Sequence, residues 1–485
     1  MLESIDYKKI FTYFEEISNV PRGSYHNEKI SAYLVEFAKK HNLEYRVDEA
    51  LNVIIKKPAS SDCKNQDPVI IQGHMDMVCV SDDGSHDFEN DGLDLQIDGD
   101  LLYAKGTTLG GDDGIALAYT LAILASDEYT HPPIEAVFTT DEEVGMDGAA
   151  ALDVSDLKAK MMLNIDNEEE GILLVSCAGG ASADIRFSKE KVETKGRPIT
   201  IRVSGLVGGH SGVEIHKHPL NASIFLGRLL EMAGEESAFR LVSITGGDKD
   251  NVITNVSEAQ IVSVGDADQL LADLSQYADC MVEEVSSAEP NIKIDIQMGE
   301  EQSIQTFDDA FTRTMLDFVN LTITAVQVNS SDVPGMVESS LNMGITKTEG
   351  NEVQLGFSLR SQKESYLSFM IRKLQRLSSC VAGDGVTCTF NIRGRYPAWD
   401  YKKDSVLRDL MVDEFVKLFG REPIVEGIHA GLECGIMSKK IPGLDIVSFG
   451  PDIKDIHTAR ERLSIESAKQ NFDFLVNVLA RLAQA

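Results

Sequence analysis

The sequence is short of basic residues, and it has no apolar run long enough to span a bilayer. Its 45 Lys and Arg residues are opposed by 78 Asp and Glu residues, which gives a formal net charge of −33. So acidic a protein repels phosphate backbones and anionic lipid, and nucleic-acid and membrane partners are therefore not expected. The apolar run IALAYTLAILA, residues 115–125, is shorter than the roughly 20 residues of a membrane-spanning helix.

The sequence also lacks paired cysteines and a recognisable signal peptide. Its seven cysteines are odd in number and contain no C-x-x-C pair, which fits neither a disulfide framework nor a zinc finger. The first residues, MLESIDYKKIF, are acidic and amphipathic, whereas a signal peptide begins basic and then becomes apolar. We therefore expect reduced thiols and a cytoplasmic protein.

At 485 residues the chain exceeds the size at which one hydrophobic core keeps growing, so two domains are expected. Strand-like runs alternate with helical patterns near both ends of the chain, as in an α/β sheet covered by helices. The middle combines alternating strands such as VQLGFSLRS with amphipathic helices, as in an α+β domain. The sequence predicts an α/β fold with a mixed sheet flanked by helices in 1–184 and 397–485, and an inserted α+β domain in 185–396. It shows no short-period repeat.

Polar side chains interrupt the apolar pattern where several predicted strands end. In VIIQGHMDMV, His74 and Asp76 follow a buried strand and point the same way, so Asp76 can hold the ring that His74 presents to a metal. In TTLGGDDG, Asp112 and Asp113 precede an apolar helix, where a carboxylate can also act only as a helix cap. Taken alone, the first motif is more typical of a polar strand end than of a metal ligand, and the second is as typical of a helix cap as of a ligand.

Further acids and a histidine follow the later strands. Glu142 and Glu143 come directly after EAVFTT, and adjacent carboxylates at a strand end repel each other unless a cation or proton compensates. Asp166 ends the strand in MMLNID, and His457 follows the strand LDIVSFG. Surface acids and loop histidines explain each of these features singly.

The combination of these side chains predicts a metal centre. They lie at strand ends or in the loop entering a helix, which converge at one edge of an α/β sheet. Two histidines and several carboxylates without cysteine suit a pair of divalent ions, zinc with manganese or cobalt as substitutes. The residues are His74, Asp112, Glu142, Glu143, Asp166 and His457.

These motifs resemble those of the dinuclear zinc aminopeptidases and carboxypeptidases that include aminoacylases and carnosinases. They are most similar to those of the aminoacyl-histidine dipeptidases, also called peptidase D. The similar stretches follow the order of that family along nearly the whole chain. They are GHMDMV, AKGTTLGGDDG, TDEEVGMDGA, NIDNEEEG, SCAGG, GGHSG, HAGLECG and IHTARE.

The resemblance implies a ligand for each of two metal ions. His74 and Asp166 would bind one ion, Glu143 and His457 would bind the other, and Asp112 would bridge them. The two ions would be Zn²⁺, with Co²⁺ or Mn²⁺ as alternatives.

The resemblance also implies a mechanism of hydrolysis. Asp76 would orient His74, and Glu142 would be the general base. A water shared by the cations would give its proton to Glu142, and the resulting hydroxide would attack the peptide carbonyl. Glu142 would then pass the proton to the leaving amine.

The family pattern also suggests residues that bind substrate. His210 would donate to the tetrahedral oxyanion, and Arg360 would pair with the terminal carboxylate, while Asn251 matches a further family position. A packed histidine and a structural salt bridge are the alternatives for His210 and Arg360. Glu433 would neutralise a free amino end, and His429 could equally serve packing.

Two departures from the family pattern bear on substrate preference. Ala459 and Arg460 stand where relatives carry a Pro and an acid after the final histidine. GGDDG replaces GADNG, which places the charge of Asp113 beside the bridging position. Neither change removes a ligand or the base.

The resemblance implies cleavage of dipeptides with two free ends, preferentially Xaa-His dipeptides of the carnosine type. The inserted domain would act as a lid that closes over the metal ions, and its exposed strands could support a homodimer. An N-acyl amino acid deacylase or carboxypeptidase with the same ions is one alternative. A noncatalytic metal-binding scaffold is another, although the presence of Glu142 argues against it, because a scaffold could keep every ligand and lose the base.

Overall fold

The computed structural model describes residues 2–64, 67–331, 333 and 335–484. Contacts between Cα atoms divide the chain into two compact units. The first unit comprises Met1–Cys177, Trp399–Gly427 and Leu432–Ala485, and the second comprises Ala178–Ala398 and Ile428–Gly431. The second unit is thus inserted between segments of the first.

The part of the first unit that precedes the insertion contains helices and strands in alternation. Its helices are α1 (Ile10–Ser18), α2 (Glu28–Lys40), α3 (Gly111–Ala125) and α4 (Asp147–Ala151). Its strands are β1 (Glu44–Val47), β2 (Val53–Lys57), β3 (Val69–His74), β4 (Leu95–Asp98), β5 (Leu101–Ala104), β6 (Ile134–Thr139), β7 (Met161–Asn164) and β8 (Ile172–Cys177).

The second unit begins with β9 (Gly179–Ser188), so the domain boundary expected at residue 184 falls inside a strand. The other strands are β10 (Val192–Gly196), β11 (Pro198–Ser204), β12 (Gly209–His210), β13 (Phe239–Asp248), β14 (Val252–Ile253), β15 (Ser257–Ser263), β16 (Lys293–Met298), β17 (Gln302–Thr306), β18 (Ala325–Asn329), β19 (Val337–Glu349), β20 (Glu352–Ser361) and β21 (Thr387–Tyr396). The helices are α5 (Ala222–Glu236), α6 (Ala267–Val285), α7 (Asp309–Leu321) and α8 (Glu364–Val381).

The last part of the chain completes the first unit. Its helices are α9 (Val406–Phe419), α10 (Glu433–Lys440) and α11 (Ile465–Gln484). Its strands are β22 (Ile424–Ile428), β23 (Asp445–Ser448), β24 (Ile453–Lys454) and β25 (Arg462–Ser464).

The main sheet of the first unit is mixed, and the predicted α/β fold class is confirmed. Its strand order is β1-β2-β6-β3-β7-β23-β8-β22. The pairs β6–β3, β3–β7 and β7–β23 are parallel, whereas β1–β2, β2–β6 and β23–β8 are antiparallel. Parallel neighbours end at the same edge, so the loops that follow these four central strands meet there.

A buried apolar cluster holds helices against this sheet. Ile71, Leu163 and Val447 lie on adjacent parallel strands and belong to the cluster. Phe14 of α1 and Phe472 of α11 pack into the same cluster. Removal of this apolar surface from water is the main favourable contribution to keeping the layers together.

Helix α3 explains the apolar run in the first half of the sequence. Its residues from Gly111 to Leu124 are all buried. A helix that is apolar on every side is enclosed by protein, and that is the position of α3 beneath α1 and against β3. Among the described residues, no helix is long and apolar enough to cross a membrane.

The second unit contains the same topology twice. In the first repeat the chain order is β11, α5, β13, β15, α6, β16, and the strands lie in the order β16-β11-β15-β13. In the second repeat the chain order is β9, α7, β19, β20, α8, β21, and the strands lie in the order β21-β9-β20-β19. In both repeats the first strand lies between the third and the fourth.

The two repeats form one continuous sheet because their second strands, β13 and β19, pair antiparallel. Helix α5 packs against α6 and α7, and α7 packs against α8, so the helices of both repeats share one apolar core. Strand β9 precedes the first repeat, whereas the rest of the second repeat follows it. One repeat is therefore inserted into the other, which hides the repetition from a scan of the sequence.

A smaller antiparallel sheet of the first unit has the order β24-β25-β5-β4. The loop between β24 and β25 contains His457. Since β25 pairs with β5, this loop is held beside the segment that runs from β5 into α3.

Candidate metal centre and substrate-binding residues

The predicted metal centre lies where the parallel strands of the first unit end. His74 ends β3, Glu142 and Glu143 follow β6, Asp166 follows β7, Asp112 begins α3, and His457 lies between β24 and β25. The direction of the parallel strands places four of these side chains at this edge of the sheet. The small sheet and the start of α3 place the other two there.

Asp112 lies at the centre of the cluster. Its Oδ1 is 3.0 Å from His74 Nε2, and its Oδ2 is 3.2 Å from His457 Nε2. His74 Nε2 is also 3.7 Å from Asp166 Oδ1, and His457 Nε2 is 3.0 Å from Glu143 Oε2. A carboxylate that presents one oxygen to each of two imidazoles can bridge two cations, each with a histidine and a further acid beside it.

The charges of the cluster favour a cation at each of these positions. Hydrogen bonds with Asp112 and Glu143 raise the pKa of His457 to about 10. Burial acts to lower the pKa of His74, but hydrogen bonds with Asp112 and Asp76 outweigh it and raise the pKa well above its usual value. The surrounding carboxylates therefore stabilise positive charge at both rings.

The donor set fits a pair of divalent cations. Two groups, His74 with Asp112 and Glu143, and His74 with Asp113 and Asp166, each place their ligand atoms within 4.8 Å of one another. Glu143 Oε1 is buried, and no described residue offers it a hydrogen bond, so one ligand oxygen is left for another partner. Imidazole and carboxylate donors without thiolate suit zinc, cobalt or manganese.

Asp113 is turned towards the backbone of β3, whereas Asp112 faces the two histidines. Oδ2 of Asp113 accepts the backbone N–H of His74 at 3.2 Å. Burial raises the pKa of Asp113 well above its usual value, which favours the neutral carboxyl. Burial thus acts against the additional negative charge that GGDDG places beside Asp112.

Asp76 contacts both the His74 ring and the loop that carries Glu142. Its Oδ1 is 3.5 Å from His74 Nδ1 and accepts the backbone N–H of Glu142 at 3.1 Å. His74 Nδ1 lies closer, at 3.2 Å, to the backbone oxygen of Asp76. Ser24, to which the sequence analysis assigns no role, donates its hydroxyl to Asp76 Oδ2 at 2.8 Å. Asp76 thus links three segments of the site.

The side chain of Glu142 lies partly buried beside the cluster. Burial raises its pKa to about 8, and the nearby Glu433, Glu143 and Asp112 carboxylates add to this shift while His74 opposes it. Cations bound beside it would lower this pKa, because opposite charge favours the carboxylate. A carboxyl group whose pKa lies near neutral pH can both accept and release a proton.

Glu461 holds the loop that carries Asp112, a role that the sequence analysis does not assign to it. The residue is 2% exposed. Its two oxygens accept four successive backbone N–H groups, from Leu109 at 2.8 Å, Gly110 at 2.9 Å, Gly111 at 2.8 Å and Asp112 at 3.3 Å. Hydrogen bonds to a carboxylate are strong, and four of them fix this loop.

Arg22 is the second buried residue that positions the site. Its Nη1 donates to the backbone oxygens of Met75 and Asp76, at 3.2 and 3.0 Å, and its Nη2 donates to that of Gly110 at 2.5 Å. It therefore ties the loop after β3 to the loop before α3. Arg22 lies in no motif, whereas Glu461 ends the stretch IHTARE and could have been identified there as a buried acid.

The predicted substrate-binding residues of the second unit lie near one another. His210 in β12 pairs with Val252 of β14, and the backbone N–H of Ser211 donates to the backbone oxygen of Asn251 at 2.9 Å. Nδ1 of His210 lies 3.3 Å from the backbone nitrogens of Gly212 and Val213 and accepts from both. This pattern leaves the ring proton of His210 on Nε2.

Arg360 is a buried cation to which the described residues offer no acidic partner. It is 8% exposed, and no described Asp or Glu lies within ion-pair distance of it, so the structural salt bridge considered as an alternative is absent among the described residues. Burial and the charge of Arg360 lower the pKa of both His210 and His429, that of His429 to about 3. Nε2 of His429 lies 2.7 Å from Ser340 Oγ, so His429 has a packed, hydrogen-bonded position.

Glu433 is enclosed in the first unit. Its Oε2 accepts from Gln72 Nε2 at 2.5 Å and from Thr139 Oγ1 at 2.6 Å. Its side chain is fully buried, and burial raises its pKa to about 7. Glu433 is thus hydrogen-bonded to both β3 and β6. A contact between Glu433 and the amino end of a substrate stays a prediction.

Replacing Glu461 with Gln should weaken metal binding while every predicted ligand stays in place. The amide has one acceptor oxygen, so it cannot hold four backbone N–H groups, and the loop that carries Asp112 becomes less well fixed. We expect the dissociation constant for Zn²⁺ or Co²⁺ to rise about 10- to 100-fold, as for other residues that orient ligands.

Competition with a chromophoric chelator measures this constant on the purified protein. Glu466→Gln, at an exposed position nearby, is the matched control and should bind metal like the wild type. Equal affinities for Glu461→Gln and the control would contradict the assigned role.

Comparison with known proteins identifies the family. Residues 70–485 match the model of peptidase family M20/M25/M40. The chain is 33% identical over 488 residues to the cytosol non-specific dipeptidase of Escherichia coli (strain K12), with 99% of each chain covered. It is also 33% identical to the aminoacylhistidine dipeptidase of Vibrio alginolyticus, whose crystal structure matches with a TM-score of 0.89 over 99% of both chains.

A more distant structure shares the fold alone. The aminopeptidase PepT of Bacillus cereus is 15% identical, with a TM-score of 0.59 and coverage of 99% of this chain and 100% of that one. The family resemblance drawn from the sequence motifs is confirmed: the chain belongs to peptidase family M20/M25/M40 and is a metallopeptidase.

Proposed function

We propose that this metallopeptidase hydrolyses the peptide bond of unblocked dipeptides in the cytosol. The observation that carries the proposal is the position of Asp112, with one oxygen towards His74 and the other towards His457. The two relatives at 33% identity, which cover nearly the whole chain, are both named dipeptidases, and one is named a cytosol enzyme. These names support the substrate class.

The residues that would hold the metal ions divide into two sets that share Asp112. His74 and Asp166 would bind one ion, and Glu143 and His457 would bind the other. Two divalent cations at these positions, zinc with cobalt or manganese as substitutes, would polarise the scissile carbonyl and make a water more acidic.

Glu142 is proposed to move the proton. Its carboxylate accepts a proton from the attacking water and returns that proton to the nitrogen of the leaving amine. Its burial supports this role, since a carboxyl group with a raised pKa holds the proton long enough to deliver it. Asp76 keeps the base in place through the backbone N–H of Glu142.

His210 is proposed to stabilise the oxyanion of the tetrahedral intermediate. Its Nδ1 accepts from two backbone N–H groups, so Nε2–H is free to donate. Its lowered pKa keeps the ring neutral near pH 7, and burial is the main cause. Asn251 is proposed to bind substrate beside it, since the two loops are hydrogen-bonded.

Arg360 is proposed to bind the carboxylate end of the dipeptide, and Glu433 the amino end. A buried guanidinium with no acidic partner among the described residues is costly unless an anion joins it, which supports this role for Arg360. We also propose histidine as the preferred second residue of the substrate. The lid and homodimer roles of the inserted unit remain proposals of the same kind.

A panel of substrates tests the activity and its specificity. We expect the zinc-restored protein to cleave β-Ala-His, Gly-His and Ala-Leu, fastest with histidine second, and the chelated protein to be inactive. Gly-Gly-His and N-acetyl-Ala-His should resist cleavage, because a dipeptidase binds both free ends of a two-residue substrate. Released amino acids are measured by chromatography. Cleavage of the acetylated compound would indicate a deacylase or carboxypeptidase, and equal rates for all dipeptides would refute the histidine preference.

Replacing Glu142 with Gln should separate the chemistry from metal binding. The amide cannot accept the proton, so kcat should fall by about 10²- to 10⁴-fold, whereas zinc content should stay at the wild-type value. Steady-state kinetics and metal analysis of the same preparation check both points. Glu169→Gln, at an exposed acid, is the control. Loss of zinc together with activity would show that Glu142 is a ligand and not the base.

A further inference from the structure

Within the described part of the chain, one neutral hydrogen bond holds the Arg360 side chain. Its Nη1 donates to the phenolic oxygen of Tyr396 at 3.0 Å. Its Nε is buried, and no described residue accepts a hydrogen bond from it. The guanidinium is therefore oriented through its Nη1 group, and its other N–H groups are left for a further acceptor. All of these atoms belong to the second unit.

A phenol can orient a guanidinium without cancelling its charge. An Asp or Glu in the place of Tyr396 would form an ion pair with Arg360. It would neutralise the positive charge that attracts an anionic ligand. The neighbours on the pairing strands, Ser340 and Gly180, are likewise uncharged. The side chains around Arg360 thus keep its positive charge unpaired and its orientation fixed.

The ring of Tyr396 can occupy its position because two neighbouring residues, Gly180 and Gly431, have no Cβ atom. A Cβ atom on Gly180 would lie 2.6 Å from Cζ of the ring, and a Cβ atom on Gly431 would lie 2.6 Å from its Cε2. Carbon atoms that are not bonded do not approach so closely, since their ordinary contact distance is about 3.5–4 Å. The ring therefore packs directly against two backbone segments, β9 and residues 428–431, that carry no side chain there.

We infer that Tyr396 is a positioning residue for Arg360 and that it makes the enzyme selective for substrates with a free α-carboxylate. This inference rests on the proposed function, in which Arg360 binds that carboxylate. A bidentate pair between a guanidinium and a carboxylate requires both N–H groups to lie in one plane at a fixed angle. The hydrogen bond to Tyr396 sets that plane before the substrate arrives.

The test compares a dipeptide with its C-terminal amide in the zinc-loaded enzyme. Wild type should prefer the acid. Tyr396→Phe should raise KM for the dipeptide roughly tenfold, as expected for loss of a hydrogen bond to a charged group. It should leave kcat, and KM for the amide, unchanged. Gly431→Ala, which displaces the ring without removing the hydroxyl, should have the same selective effect.

The chain offers a matched control. Tyr401 in the first unit also accepts from an arginine, Arg408 Nη1, at 3.0 Å. Tyr401→Phe removes the same type of hydrogen bond away from the residues assigned to substrate, and it should leave both KM values unchanged. In an Arg360→Ala background, Tyr396→Phe should have no further effect on the ratio of the two KM values.

The outcomes separate this inference from the function on which it rests. A wild-type enzyme that cleaves no dipeptide, or cleaves acid and amide equally, overturns the proposed role of Arg360 and the inference with it. A wild type that prefers the acid, with Tyr396→Phe keeping that preference or raising both KM values alike, overturns the inference alone.

Discussion

The candidate metal centre depends on one buried carboxylate, that of Glu461. Its hydrogen bonds with four successive backbone N–H groups give the loop before α3 a single path. Only on that path can the two oxygens of Asp112 face two histidines from different loops. A buried carboxylate is costly unless donors and an opposite charge surround it, and here the loop supplies the donors while the Arg22 guanidinium supplies the charge. These two groups thus hold the loop that carries Asp112, the proposed bridging ligand.

The candidate site can be predicted from the sequence because its proposed ligands follow local signals. His74, Glu143 and Asp166 each come directly after or at the end of an apolar run, and parallel strands bring such positions to one edge. The residues that hold these ligands carry no such signal. Arg22 acts on Met75 and Asp76, which lie more than fifty residues away, and its contacts arise only when the sheet is formed.

The fold shows the same division between local and long-range information. Hydrophobic periodicity predicts the α/β and α+β segments, because each strand or helix shows its buried face in its own residues. Periodicity does not show which strands are neighbours. The nine-stranded sheet of the second unit joins β13 to β19, and the residue-by-residue pattern of neither strand indicates that pairing. Likewise, Tyr396 ends β21 as an ordinary aromatic residue, and only its approach to Gly180 and Gly431 gives it a specific role.

The insertion of one repeat into the other has a consequence for synthesis on the ribosome. The first repeat, from β11 to β16, is continuous in sequence, so all of its strands leave the ribosome before the second repeat is complete. Strand β9 emerges earlier still, but its partners β20 and β21 follow more than 160 residues later. During that interval β9 is an unpaired strand with alternating apolar residues, which is a template for wrong pairing. The order of translation therefore leaves this strand in need of protection before the fold closes.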